Sequence, residues 1–141
     1  AIVTPLRSLP PHPDVRDGLQ ALKNKGYKLV SLTNSSNQGV YTQFKNADLL
    51  SYFDERLSVE DINLYKPDTR TYEWAIEKMG IAAEDAMLVA AHGWDIAGAK
   101  QAGWQAAFIA RPGKVLYPLA IAPDTVVSGL DELVSQLPDA K

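Results

Sequence analysis

Apolar positions along the chain fall into two alternating rhythms. Val15, Leu19 and Leu22 share one face of a helical repeat, and Asp14 followed by Asp17 predicts an N-cap with an acidic third position. Gly26 predicts the end of that helix. The run YKLVSLTN places Tyr27, Leu29, Val30 and Leu32 in a mostly buried strand. Val40, Phe44 and Ala47 then predict a short amphipathic helix, and residues 53–59 a weak second strand. Asp68 is set to cap a helix in which Tyr72, Ala75, Ile76 and Met79 share a face and which Gly80 closes. The run AMLVAA, residues 86–91, is wholly apolar, as a parallel strand covered on both faces requires. A helix with Ile96, Ala99 and Ala102 follows, ending at Gly103, and residues 105–110 predict another strand. A loop at residues 111–113 and a short strand near 125–127 lead to a last helix. Ser128 with Asp131 predicts its cap, and Leu130, Leu133, Val134 and Leu137 its buried face.

Helices that alternate with uniformly apolar strands predict an α/β fold, a three-layer Rossmann-like arrangement with an open parallel sheet between helices. Residues 1–13, broken by Pro5, Pro10, Pro11 and Pro13, read as a lead-in. Residues 14–137 read as one core domain and 138–141 as a tail. Ligands in such folds bind beyond the carboxyl ends of the strands. Three polar clusters fall at those ends: residues 33–36, Lys66, and residues 92–95.

Composition narrows the chemistry. The chain has 141 residues, with 14 Lys+Arg against 17 Asp+Glu and a net charge of −3. Mild acidity argues against a nucleic-acid partner, which needs a basic patch. The absence of cysteine removes disulfides, thiolate-bound zinc and a sulfur nucleophile. No apolar run approaches the roughly eighteen residues of a membrane-spanning helix. The first residues lack the pattern of a secretion signal, so a cytoplasmic location is expected. There is no G-x-G-x-x-G and no Walker A loop for a nucleotide.

Within the three clusters, each residue has a chemical and a structural reading. Thr33 and Asn34 can hold an anionic oxygen or cap a helix. Lys66, fixed by Pro67, can neutralise a carboxylate or lie in solvent. Tyr72 can reach the pocket or pack its helix. Asp95 can order a lysine, a water or the loop, or cap the next helix. His92 can donate to a substrate or act as a base, and Trp94 reads as packing. His92 and Asp95 are too few for a closed metal site, and the other histidine, His12, lies in the lead-in. Ser35 and Ser36 lack the G-x-S-x-G elbow of a hydrolase triad.

The segments SLTNSS, LSVEDINLYKPDTRTYEWAIEKMG and MLVAAHGWDIAGAKQAGWQAAFIARPG resemble the later motifs of the haloacid dehalogenase superfamily. The resemblance is closest to the type II L-2-haloacid dehalogenases and runs from about Pro10 to Leu137. It implies that Thr33 and Asn34 contact the substrate carboxylate or acyl oxygen, and that Lys66 steadies an aspartate nucleophile. It further implies that Tyr72 belongs to the site and that Asp95 holds Lys66. The implied reaction is attack of an aspartate on the halogenated carbon of a small 2-haloacid or related carboxylate. Hydrolysis of the resulting ester follows, and no cofactor is needed.

The sequence departs from the family pattern in two ways. Ala90, Ala91 and His92 stand where such dehalogenases carry serine and asparagine, and defluorinating relatives share a histidine there. Superfamily phosphatases place an acidic Mg2+ ligand where Ala91 stands, so Mg2+ is expected only if the chain is phosphatase-like. An inactive or binding homologue is the further alternative. The larger departure is the absence of the family's first motif, the D-x-Y-G-T-like nucleophile strand, and of the cap that follows it. The sheet is therefore expected to be incomplete at its central strand, between the strands ending at Thr33 and Ala91. An isolated chain of this kind would expose backbone there and be unstable as a monomer. The missing segment would come from a second polypeptide or another contact, and a homodimer stays open.

Overall fold

Short runs of β-branched and apolar residues form the strands. The computed structural model describes residues 2–4, 13–33, 50–59, 62–66, 68–110 and 122–139. Within them are strands β1 (Ile2–Thr4), β2 (Leu29–Thr33), β3 (Glu55–Ser58), β4 (Met87–Ala90), β5 (Gln105–Ile109) and β6 (Thr125–Val127). The helices are α1 (Pro13–Asn24), α2 (Thr69–Met79), α3 (Gly93–Gln101) and α4 (Leu130–Gln136). The strands make one sheet in the order β3-β2-β1-β4-β5-β6, with every neighbouring pair parallel. The α/β fold expected from the pattern is therefore present.

Alternation along each strand divides the core into two layers. Ile2, Leu29, Met87, Val89, Ala107, Ile109 and Val127 pack against Val15, Leu19 and Leu22 of α1 and Leu130 and Leu133 of α4. Val3, Val30, Leu32, Leu57, Leu88, Ala90, Ala106 and Phe108 pack on the other face against α2 and α3. Close approach of α1 to α4 depends on Gly18, where a Cβ would lie 2.6 Å from Leu130 Cβ.

The centre of the sheet differs from the expectation. It is not incomplete: Ile2–Thr4 lies there, pairing with Leu29–Ser31 on one side and with Met87 and Leu88 on the other. Ile2 and Val3 are buried on opposite faces, so two β-branched apolar residues suffice to join the halves. β1 thus pairs with the first three residues of β2 and the first two of β4. The proline-rich stretch that suggested a lead-in begins only at Pro5, after the strand.

Helix ends follow local chemistry, with two corrections. Helix α1 starts at Pro13, one residue before the expected cap Asp14, because proline's fixed φ suits a first helical turn. Its end is a Schellman arrangement: Tyr27 N–H donates to Leu22 O at 3.1 Å and Gly26 N–H to Lys23 O at 2.9 Å, with Gly26 at φ 90°. Asp68 caps α2 as expected, accepting from Arg70 N–H, and Gly80 closes it at φ 68°. Helix α4 does not use the Ser128–Asp131 pair. Gly129 is its extended N-cap, and Glu132 instead reaches back to accept from Ser128 N–H at 2.6 Å and Ser128 Oγ at 2.8 Å. The helix expected around Val40 and the loop at 111–113 lie outside the described residues.

Two aspartates fasten the edges of the sheet in the same way. Asp54, just before β3, donates its N–H to Leu29 O at 2.7 Å, and its Oδ2 accepts from Leu29 N–H at 2.7 Å. Asp124, just before β6, donates to Ala106 O at 2.8 Å and accepts from Ala106 N–H at 2.7 Å. Each carboxylate also takes a lysine from the helix preceding the clamped strand, Lys23 of α1 or Lys100 of α3, both at 3.1 Å. Burial pushes both carboxyls up. The strand amides and the lysines outweigh it and hold both below the ordinary value of 3.8.

A depressed carboxyl pKa contributes stability that is present above the unfolded value and is lost as pH falls through the folded value. Chain stability is therefore expected to decline below about pH 4. Asp54→Asn and Asp124→Asn should each lower stability at pH 7 and flatten that acid limb, with near-additive effects because they sit at opposite edges. Urea titrations between pH 3 and pH 7 check this; unchanged acid limbs in both variants would count against the clamps.

Candidate active site

The carboxyl ends of β2 and β4, the loop after β3 and the first turns of α2 and α3 converge on one buried carboxylate. Asp95 occupies the third position of α3, fully buried, where a negative charge faces the helix N-terminus favourably. The chain enters this turn through Ala91 and an extended His92, whose carbonyl accepts from Asp95 N–H at 3.1 Å. Lys66, in the loop after β3, directs its Nζ inward and donates to Asp95 Oδ2 at 2.7 Å. The side chains of this pair are 2% and 0% exposed. Lys66 Nζ also donates to the Leu32 carbonyl at 3.1 Å, which ties the loop to the end of β2.

Tyr72 serves the other carboxylate oxygen. Its hydroxyl donates to Asp95 Oδ1 at 2.5 Å. Burial first, and then the Asp95 charge and hydrogen bond, push the phenol well above the ordinary tyrosine range. Tyr72 is therefore a neutral donor throughout the physiological range. A charged donor on one oxygen and a neutral donor on the other fix the plane of the carboxylate. Such a satisfied buried network holds one geometry, whereas a partly satisfied one is costly.

An aromatic ring carries the site outward. Lys66 Nζ lies 5.5 Å from the centroid of Trp94, within cation–π range. The His92 ring lies 5.6 Å from the same indole, tilted by 47°. Thr33 ends β2 one residue past the carbonyl that Lys66 holds, and it is buried beside Ser58 in the β2–β3 register.

The structure thus brings Lys66, Tyr72 and Asp95 into direct contact, with His92 one ring away and Thr33 at the adjoining strand end. Asn34 lies outside the described residues. Sequence reasoning missed the Leu32 carbonyl and the place of Trp94 between Lys66 and His92. Neither has a sequence signal, since both depend on how far Lys66 is drawn inward. Strand β1 ends in Ile2, Val3 and Thr4 and so carries no carboxylate. Both Asp95 oxygens are engaged, and Ala91 stands where a second acidic ligand would be needed, so the described residues do not suit Mg2+. Among the described residues no group of three His, Cys, Asp or Glu side chains could hold a metal.

The model of the haloacid dehalogenase-like hydrolase family matches residues 3–109. This chain belongs to that family. It is 36% identical over 126 residues to an (S)-2-haloacid dehalogenase of Pseudomonas sp. strain YL, across 89% of this chain and 54% of that protein. A crystal structure of a dehalogenase with an intermediate complex superposes with a TM-score of 0.87 at 29% identity, covering 92% of this chain and 57% of that one. The L-2-haloacid dehalogenase of Xanthobacter autotrophicus, with chloropropionic acid covalently bound, gives 0.83 at 25% identity, over 88% and 59%. The chain spans a little over half the length of these haloacid dehalogenase relatives. The resemblance carried by the Tyr65-Lys66-Pro67 and His92–Asp95 segments is thereby borne out for the family.

Proposed function

We propose that the protein to which these residues belong is a hydrolase of small 2-haloacids. The carrying observation is the buried Lys66–Asp95–Tyr72 network at the carboxyl ends of the strands. Its best support is similarity to 2-haloacid dehalogenases over nearly the whole of this chain. In this reading an aspartate carboxylate attacks the carbon bearing the halogen, a C–O bond forms, and the C–X bond breaks to release halide. Water then adds to the ester carbonyl, the acyl–oxygen bond breaks, and a 2-hydroxy acid leaves as the carboxylate is restored.

The roles follow from charge and position. Lys66 faces the nucleophile as its counter-charge, while Asp95 and Tyr72 keep the ammonium in place. Thr33 and Asn34 receive the substrate carboxylate, and His92 donates to the substrate or takes the proton of the attacking water. In this reading the nucleophile comes from outside these 141 residues; in support, β1 carries no aspartate and both Asp95 oxygens are already engaged. The partner this reading requires is therefore a segment that brings an aspartate carboxylate within reach of Lys66. Halide, carboxylate and water complete the chemistry without a cofactor.

The test is halide release from 2-chloropropionate and from fluoroacetate by the complete protein, run beside a Mg2+-supplemented phosphate-ester assay. Metal-independent release of halide and 2-hydroxy acid in equal amounts is expected. Phosphate release without halide release would overturn the reading.

A further inference from the structure

Gly98 interrupts the favourable chemistry of α3. A glycine inside a helix costs about 1 kcal/mol relative to alanine, so its retention calls for a spatial reason. That reason is the Tyr72 ring. A Cβ at position 98 would lie 2.7 Å from Tyr72 Cε2, 2.7 Å from its hydroxyl oxygen and 2.9 Å from Cζ. These contacts are well inside van der Waals distance, so a side chain here would force the ring to shift. Tyr72 is fully buried, and Trp104 meets it edge-on at 5.5 Å and 87°. Gly98 follows Asp95 by three positions, so both lie on one face of α3. The same phenol therefore rests on the bare helix backbone at Gly98 while its hydroxyl reaches Asp95 Oδ1.

We propose that Gly98 is a positioning residue of the site: its missing side chain seats the Tyr72 ring so that the hydroxyl can hold Asp95, and through Asp95 orient Lys66. The functional part of this inference rests on the dehalogenase reading; the seating of the ring does not. A methyl group at position 98 would push the phenol off Asp95 Oδ1 and leave the carboxylate free to rotate about Lys66.

The experiment has two arms. In the complete protein labelled at tyrosine 13Cζ, Gly98→Ala is expected to shift the Tyr72 resonance, assigned with Tyr72→Phe. It should leave the other tyrosines in place. In the complete protein, Gly98→Ala is expected to lower kcat for halide release about 10- to 100-fold, the range for losing a hydrogen bond to a charged group, with KM changed less than about 3-fold. In the Tyr72→Phe background the kcat effect of Gly98→Ala should vanish while its cost in Tm persists. If Gly98→Ala alone does not fold, the Tyr72→Leu background decides. With the ring gone, Gly98→Ala should raise Tm there, because alanine is the better helix former.

An unmoved Tyr72 resonance, an undiminished kcat effect without the hydroxyl, or a lowered Tm in the Tyr72→Leu background would each overturn the proposal. Absence of halide release from the wild-type protein, with a shifted resonance in the variant, would instead sink the dehalogenase reading and leave the seating intact.

Discussion

Replacing Asp95 with leucine is expected to destabilise the chain by about 3–5 kcal/mol, among the largest effects of any single change. The size follows from what stays behind. Lys66 remains a buried cation, 2.7 Å from where its carboxylate stood, and Tyr72 loses the nearer acceptor of its hydroxyl, keeping only the Asp95 carbonyl at 3.4 Å. Lys66→Met is expected to cost a similar amount by stranding the carboxylate. Joining the two changes should recover much of the loss, because an apolar pair of similar volume needs no compensating charge. Urea denaturation of the four chains forms a double-mutant cycle, and simple additivity would show that the two residues do not act as a pair. Activity separates from stability here. Both single variants and the stable double variant of the complete protein are expected to release halide at least about 100-fold more slowly, the scale for losing an electrostatic stabiliser. A double variant as active as the wild type would remove Lys66 from the chemistry.

Much of the fold was legible because its physics is local. The runs YKLVSL and AMLVAA are apolar at successive positions, and only a strand covered on both faces uses such a run. Asp68 and Gly80 marked the ends of α2 through chemistry confined to a single turn. Strand β1 was illegible for a different reason. Three residues are too few to display a period, and two buried β-branched side chains carry no motif that marks a central strand. Asp54 falls in the weak strand predicted over residues 53–59, yet its carboxylate fastens β2 to the sheet edge, a partnership across 25 residues of sequence.

The site was legible by motif and illegible by composition. An isolated lysine is ordinarily a solvated residue, and nothing in the neighbourhood of Lys66 says otherwise. Its burial is imposed by Asp95, 29 residues away, and by the Leu32 carbonyl, which no side-chain pattern encodes. Gly98 is similar. Its neighbours in sequence explain neither the loss of helix propensity nor the contact that compensates for it, because the ring it seats belongs to α2.

Trp104 is where the core and the site meet, and its removal supplies the second large effect. The residue follows Gly103 at the end of α3, is 1% exposed, and donates its backbone N–H to Ala99 O at 3.0 Å. Its indole N–H has no hydrogen-bond partner among the described residues, so its side chain contributes through packing. Trp104→Ala is expected to cost about 3–5 kcal/mol by opening a cavity beside Tyr72, read as a lower urea midpoint. Trp104→Phe should cost less, since it keeps an aromatic ring against Tyr72 and removes an N–H that is buried without an acceptor. The two variants should also part in activity. With alanine the Tyr72 ring gains room to leave its seat at Gly98, so halide release by the complete protein should fall beyond what the remaining folded fraction explains. With phenylalanine the ring stays confined and the rate per folded molecule should stay close to wild type. Equal rates per folded molecule in the two variants would mean that Trp104 supports the core alone and does not hold the tyrosine on which Asp95 depends.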